Sequence, residues 1–350
     1  MRLDMTRLRL IGPIVENEIN QSRIPGAVVA VGLGDDAQYL QAFGYAQNRQ
    51  GISRPMTVDT LFDLASLTKV VATLPVVLSL IDDGELRLAD PVALFLPEFR
   101  IGDKSSVTVR HLLTHTAGLI AHRPFHALYE TRDEILSAIR NDPLVAKPGE
   151  AVQYSDLGFI LLGEIIREVT GEPLDKVARK RVFDPLGMPQ TQFCPPSSLQ
   201  NNIAATENGK VGVVHDENAE ALLGVSGHAG LFSTAEDLVT YVQMWLGYKG
   251  PVLSQAVRRT AVQNQTPGLS GCRGLGLVCR FDSYDHMGDL WPLSAVGHTG
   301  FTGTSLAFDP VSSLWMIILT NDVHYGREQR AVIRLRGRLH NVVGSAIVTP

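Results

Sequence analysis

Cysteine is scarce in this chain: Cys194, Cys272 and Cys279 are the only three in 350 residues. They are too few and too scattered for a disulfide framework, and an odd count leaves at least one thiol unpaired. Nothing in that count demands an oxidising compartment. Long apolar runs are also missing. No segment reaches the ~20 apolar residues needed to cross a bilayer, so no membrane span is expected. Residues 1–20 mix Arg2, Asp4, Arg7, Arg9, Glu16 and Glu18 among their apolar positions, and so lack the apolar stretch of a secretory leader. As numbered the chain is expected to be cytoplasmic, although an exported mature form would read the same way. Excess positive charge is absent as well. A net charge of −5 and a pI near 6.1 argue against a nucleic-acid partner. The arginines that do cluster, Arg327, Arg330, Arg334, Arg336 and Arg338, fall in a terminal helical segment and are expected to form its solvated face.

What is present is enough apolar material, 45% of residues, to bury a large core. Strand-like runs cluster at the two ends of the chain and helical spacing dominates between them. The predicted class is α/β in the α+β sense: an antiparallel sheet built from residues 1–75 and 265–350, flanked by helices, with a mainly helical region over 75–265 and the active site between them. Residues 5–22 read as an amphipathic helix. Ala27–Leu33 and Gln38–Gly44 read as a hairpin turned at Gly34-Asp35-Asp36. Further helices are predicted over 66–83, 107–119, 132–141, 157–169, 174–182, 253–263 and 327–343, with one capped at Ser233-Thr234-Ala235-Glu236-Asp237 and reaching Leu246. Strands are predicted over 274–281, 290–297, 304–309 and 314–321.

One stretch carries chemistry on its own terms. In Ser66-Leu67-Thr68-Lys69 a lysine follows a serine by three positions at the start of a helical apolar pattern (Leu67, Val70, Val71, Leu74, Leu78, Ile81). That spacing puts the amine and the hydroxyl on one helix face. A serine is a weak nucleophile until a base takes its proton, and a helix start adds N–H groups where an oxyanion would form. Two more pieces follow in chain order: Tyr154-Ser155-Asp156 ahead of a helix, and His298-Thr299-Gly300 among the late strands.

Together these three motifs, with Leu112-Leu113-Thr114-His115-Thr116-Ala117-Gly118-Leu119 and Gly230-Leu231-Phe232-Ser233-Thr234-Ala235-Glu236-Asp237-Leu238, resemble the serine β-lactamase and penicillin-binding protein superfamily. The resemblance covers about residues 20–345. It is nearest to the branch of class C β-lactamases, D-Ala-D-Ala carboxypeptidases and related esterases. It implies a β-lactamase/transpeptidase-like fold and a serine hydrolase that works through an acyl-enzyme, without metal or organic cofactor. Ser66 would be the acylated nucleophile, Lys69 the group that eases its deprotonation, and Tyr154 the proton carrier. His298, Thr299 and Gly300 would be the strand edge lining the cleft, where Gly300 admits the substrate backbone. The N–H groups of Ser66 and Phe301 would form the oxyanion hole.

Three residues depart from the pattern of that family. Asp156 stands where asparagine is usual, and an ionised aspartate would hold Lys69 in its charged form. His298 stands where β-lactamases usually carry lysine, which removes a fixed cation near pH 7. Phe301 replaces a small hydroxyl residue common in carboxylate recognition. The expected substrates are therefore an ester, an amide or a cell-wall peptide, with weak or no β-lactamase activity. The alternative is a non-catalytic protein that binds penicillin or senses peptidoglycan. His111, His115, His122 and His126 have i, i+4 spacings, but no Glu completes a zinc-protease motif between the first pair and Pro124 interrupts the second, so no metal site is expected. His215, Asp216, Glu217 and His228 sit in an irregular glycine-rich stretch where they either line the cleft or decorate a surface loop.

Overall fold

The computed structural model describes residues 1–348 apart from 50, 251 and 329. Its centre is a seven-stranded antiparallel sheet made of β1 (Gly26–Leu33), β2 (Asp36–Arg49), β3 (Ile52–Pro55), β4 (Val278–Cys279), β5 (Val296–Thr299), β6 (Ser305–Phe308) and β7 (Leu314–Thr320), in the order β3-β2-β1-β7-β6-β5-β4. The two ends of the chain meet at the β1–β7 pair, in register from Leu33↔Leu314 to Ala27↔Thr320.

β7 shows why this sheet is central. Its apolar residues alternate between two cores: Leu314, Met316 and Ile318 point into one, Trp315, Ile317 and Leu319 into the other. A period of two with both faces apolar is what a strand covered on both sides requires. The first core is closed by α1 (Ile11–Asn20) and α4 (Ala331–Ser345), through Ile11 and Val15 and through Leu335, Leu339 and Val343. The second is closed by the helical region, with α2 (Leu74–Asp82) and the almost wholly buried α3 (Asp156–Thr170) at its heart. This core takes residues from both the sheet and the helical region.

Several elements differ from the sequence reading. The N-terminal helix is two, Met5–Leu8 and Ile11–Asn20. The helix expected over 107–119 ends at Leu113, because His115 takes a left-handed backbone (φ 57°) and its carbonyl accepts the Gln153 N–H at 2.8 Å. Tertiary pairing overrides local propensity there. The strand expected over 274–281 is instead a hairpin, with Gly274 and Leu277 at its turn, and the one over 290–297 begins only at Val296. Asp237 does not close a capping box. Thr234 caps the helix Ala235–Leu246, while the Asp237 carboxylate accepts from the Gln190 N–H and the Thr191 hydroxyl. The terminal arginines are not one solvated face: Arg334 is exposed, but Arg336 is buried and donates to the carbonyls of Gly300 and Thr304.

A tight contact joins α3 to the wall of the cleft. A Cβ placed on Gly227 would lie 1.9 Å from the Phe159 carbonyl oxygen, and the next residue, His228, gives its own carbonyl to Lys69. Gly227→Ala is expected to cost about 1–3 kcal/mol, the range for overpacking a close-packed interior, and to lower the midpoint of thermal or urea unfolding accordingly. An unchanged midpoint would show that this segment moves freely off α3.

Candidate active site

Ser66 lies where four segments converge. Just ahead of it, Phe62–Asp63 pairs with Leu231–Ser233 in a small three-stranded sheet. Asp63, buried, accepts the N–H groups of Ala65 at 2.8 Å and His215 at 2.6 Å. Ala65 takes a left-handed conformation, φ 46°. A non-glycine residue pays for that backbone in strain, so the bonds of Asp63 are what hold the turn that presents Ser66. Lys69 follows one tight turn on, its N–H donating to the Ser66 carbonyl at 3.1 Å, and opens a widened helical turn over Lys69–Thr73. Such turns recur at functional sites.

The Lys69 side chain is fully buried and wholly satisfied: its ammonium donates to Ser66 Oγ at 2.9 Å, Asp156 Oδ1 at 2.7 Å and the His228 carbonyl at 3.1 Å. Burial alone would lower its pKa, but Asp156 and Tyr154 more than offset that and leave it raised. For Asp156 the balance runs the other way. Burial would raise it, yet Lys69 and the approach of His122 hold it well below the usual carboxylate range. His122 Nδ1 lies 3.7 Å from Asp156 Oδ2 and its own pKa is raised by that carboxylate. The pair is therefore an ammonium and a carboxylate at neutral pH.

Tyr154 faces both Ser66 and Lys69. Burial raises the pKa of its phenol and the nearby ammonium does not fully reverse this. Its ring is packed by His115 at 4.6 Å and Tyr284 at 5.1 Å between centroids. The turn that carries it is pinned by Ser155, whose N–H donates to His115 Nδ1 at 3.1 Å and whose hydroxyl donates to the Ile120 carbonyl at 2.6 Å.

The opposite wall is β5. The edge strand β4 pairs with it only at Val296 and Gly297, so beyond Gly297 the outer edge of β5 has no strand partner among the described residues. That is where His298 and Thr299 stand. Burial pushes the His298 imidazole down to about 3, with Lys69 and Arg273 adding to the effect, so the ring is neutral at any working pH. Gly300 lines the cleft and also meets a packing requirement: a Cβ there would lie 2.3 Å from the Leu64 carbonyl and 2.2 Å from Thr304 Oγ1. Its bareness lets β5 sit against the chain that delivers Ser66. Thr302 and Thr304 complete that seam, donating to the carbonyls of Asp63 and Leu64. Among the described residues the N–H groups of Ser66 and Phe301 make no hydrogen bond within the chain, and both are available to a bound oxyanion.

Between these walls is a cleft of about 370 Å³, lined by Ser66, Tyr154, Arg273, Tyr284, His298 and Phe301 among others. Phe301 is half exposed at the rim. His215 stacks on it at 5.8 Å and the Arg330 guanidinium lies over it at 4.3 Å. Arg273 and Tyr284 escaped the sequence reading, and Arg330, expected on a solvated helix face, instead lines the cleft. Nothing local marks Arg273, which is buried by its ion pair with Asp282 at 2.9 Å and packs 5.8 Å from the Tyr154 ring. The four histidines of 111–126 do not converge. His111 accepts from the Thr108 N–H, His115 from Ser155, and His126 meets Asn218. Asp156, Asp216 and His228 do come together, with ligand atoms within 4.8 Å of one another, but His228 Nε2 bonds Asp216 at 2.9 Å and Lys69 bonds Asp156, so the group is already internally paired.

The whole chain, this site included, can be compared with proteins of known family. The β-lactamase family model matches residues 9–339. The chain belongs to the β-lactamase family. It is 33% identical over 328 residues, 82% of this chain and 76% of the other, to the Escherichia coli K12 protein named "Putative D-alanyl-D-alanine carboxypeptidase". It is 32% identical over 362 residues, 91% of this chain and 81% of the other, to the N-acetylmuramyl-L-alanine amidase of Bacillus subtilis strain 168. Among solved structures, EstCE1, a hydrolase with promiscuous acyltransferase activity, superposes with a TM-score of 0.78 at 25% identity, covering 97% of this chain and 98% of that one. A class C β-lactamase from Rhodobacter sphaeroides shares the fold, with a TM-score of 0.74 at 20% identity over 94% of this chain and 97% of that one. This member of the family is a hydrolase with the mixed α/β architecture common to them.

Within that architecture the depressed His298 pKa has a measurable effect on folding. An unfolded histidine titrates near 6.5, so between about 6.5 and 3 the unfolded chain binds a proton that the folded protein refuses, and stability falls as the pH drops through that window. His298→Asn removes the titration. Urea unfolding from pH 7 to pH 4 is expected to show a shallower loss of stability in the variant than in the parent, and equal slopes would mean that His298 is not buried neutral.

Proposed function

We propose that this protein is a serine hydrolase that acylates Ser66 and then releases the acyl group to water, acting on an ester or amide, with cell-wall peptides as the favoured natural class. One observation carries the reading: the Lys69 ammonium bridges Ser66 Oγ and Asp156 Oδ1 at the floor of a cleft bounded by Tyr154 and β5. The relatives support the substrate class by their names, one a putative D-alanyl-D-alanine carboxypeptidase and the other an N-acetylmuramyl-L-alanine amidase.

The protonation of the site supports a division of roles. Lys69 is already protonated, so it cannot take the Ser66 proton without first losing its own. Held between Ser66 and Asp156 it acts as a fixed cation that stabilises the serine alkoxide and, beside it, a Tyr154 phenolate. Tyr154, once deprotonated to the phenolate that the Lys69 ammonium favours, is the acceptor. In the first half-reaction it takes the Ser66 proton and passes it to the leaving group, and in the second it takes one from water. The carbonyl oxygen, turned anionic, lies against the N–H groups of Ser66 and Phe301. His298, neutral and aligned along the cleft wall, offers no charge to a substrate carboxylate.

Brief exposure to a p-nitrophenyl ester, followed by intact-mass measurement and peptide mapping, is expected to find the acyl group on Ser66 and sustained turnover. Ser66→Ala should lose both while keeping its melting temperature. Turnover that survives in Ser66→Ala would overturn the assignment, and an adduct that forms once without turnover would mark a binding protein instead.

Because the acceptor is a phenol with a raised pKa, acylation is expected to climb with pH on the alkaline side. Asp156 raises the pKa of both Lys69 and Tyr154. Asp156→Asn, which keeps an oxygen for Lys69, should shift that limb to lower pH. A limb that stays in place or moves upward would show that Asp156 does not set the protonation of the site.

A further inference from the structure

Two of the three cysteines are partners across a hairpin. Arg273 and Val278 form an antiparallel bridge, which places Cys272 directly opposite Cys279. The Cys279 N–H donates to the Cys272 carbonyl at 3.0 Å, and Gly274 N–H to the Leu277 carbonyl at 2.9 Å, so the Cys272–Cys279 and Gly274–Leu277 pairs are the hydrogen-bonded ones. Residues opposed in this way stand on the same face of the ribbon with Cα atoms ~5.5 Å apart, inside the ~4.4–6.8 Å that a disulfide spans. Cys272 is partly exposed, Cys279 buried, and Cys194 lies elsewhere on the surface.

We propose that Cys272 and Cys279 form a reversible disulfide that staples the hairpin bearing Arg273, one wall of the cleft. The hairpin is tied to the site through two contacts. Cys272 N–H donates to Asp282 Oδ2 at 2.9 Å, and Asp282 Oδ1 holds the Arg273 guanidinium at 2.9 Å, which in turn lies over the rings of Tyr284 and Tyr154. A bond between the two sulfurs fixes the strand on either side of Arg273. The oxidant is a small disulfide such as oxidised glutathione. Cys272 attacks it and one glutathione thiol leaves; Cys279 then attacks the mixed disulfide and expels the second. Two S–H bonds are lost, one S–S bond is gained, and two electrons pass to glutathione. Burial pushes both thiols up, Cys279 to about 12, so the more accessible Cys272 makes the first attack and the exchange is slow. The inference stands apart from the acyl-enzyme reading, since it needs no turnover.

The folded protein is incubated with oxidised glutathione, free thiols are blocked with N-ethylmaleimide, and the product is mapped by mass spectrometry. The expected result is a peptide in which Cys272 and Cys279 are joined, with the mass of two hydrogens lost. Unfolding should occur at a higher temperature than in the reduced protein, with dithiothreitol reversing both changes. Cys272→Ser and Cys279→Ser should each abolish the link and the thermal shift. A stable glutathione adduct on Cys272 without the link, maleimide on both residues after oxidation, or a link that involves Cys194 would each overturn the proposal.

Discussion

The buried ion pair of Lys69 and Asp156 is the interaction on which the rest of this structure depends. Lys69 has no solvent exposure, and a buried ammonium is tolerated only when a counter-charge and further acceptors replace water. Asp156 supplies the charge, Ser66 and the His228 carbonyl the remaining acceptors. Each partner arrives on a different element: Lys69 from the turn before α2, Asp156 from the first turn of α3, and His228 from the glycine-rich segment packed on α3 at Gly227. The pair thus joins the helices to the chain that presents the nucleophile, and breaking it would leave an unpaired charge in the core.

The same pair constrains chemistry. A lysine beside a serine can act as a base only when neutral, and here the carboxylate keeps it charged. The site compensates through its second hydroxyl group, since Tyr154 shares the space between Ser66 and Lys69 and is the one remaining group there whose deprotonation the ammonium favours. The cation on the far wall that would attract a carboxylate is replaced by a neutral, buried His298. Both departures make the positive charge of the site internal, spent on Ser66 and Tyr154.

How much of this was legible in the sequence follows from what is local. Ser66 and Lys69 are three residues apart, and their juxtaposition needs only a helical turn. Tyr154 and Asp156 announce themselves by position before an apolar helix, and β7 by an unbroken apolar run. Residues whose role is set by distant packing left no such mark. Arg336 reads like its neighbours Arg334 and Arg338, yet it is drawn under β5 to bond the Gly300 carbonyl. His115 breaks a helix that its neighbours would continue, because Gln153 and Ser155 need its carbonyl and its imidazole. The Cys272–Cys279 pairing hides in a spacing that a count of three made look scattered.

The protonation state of Lys69 tests the account most directly. In protein labelled with ¹⁵N at lysine, the side-chain nitrogen of Lys69, assigned by its loss in Lys69→Arg, can be followed from pH 6 to pH 11. An ammonium shift is expected throughout the neutral range, with titration above the ~10.4 of a free lysine. A shift typical of the neutral amine near pH 7 would contradict it, make Lys69 the base that deprotonates Ser66, and reduce Asp156 to a hydrogen-bonding partner.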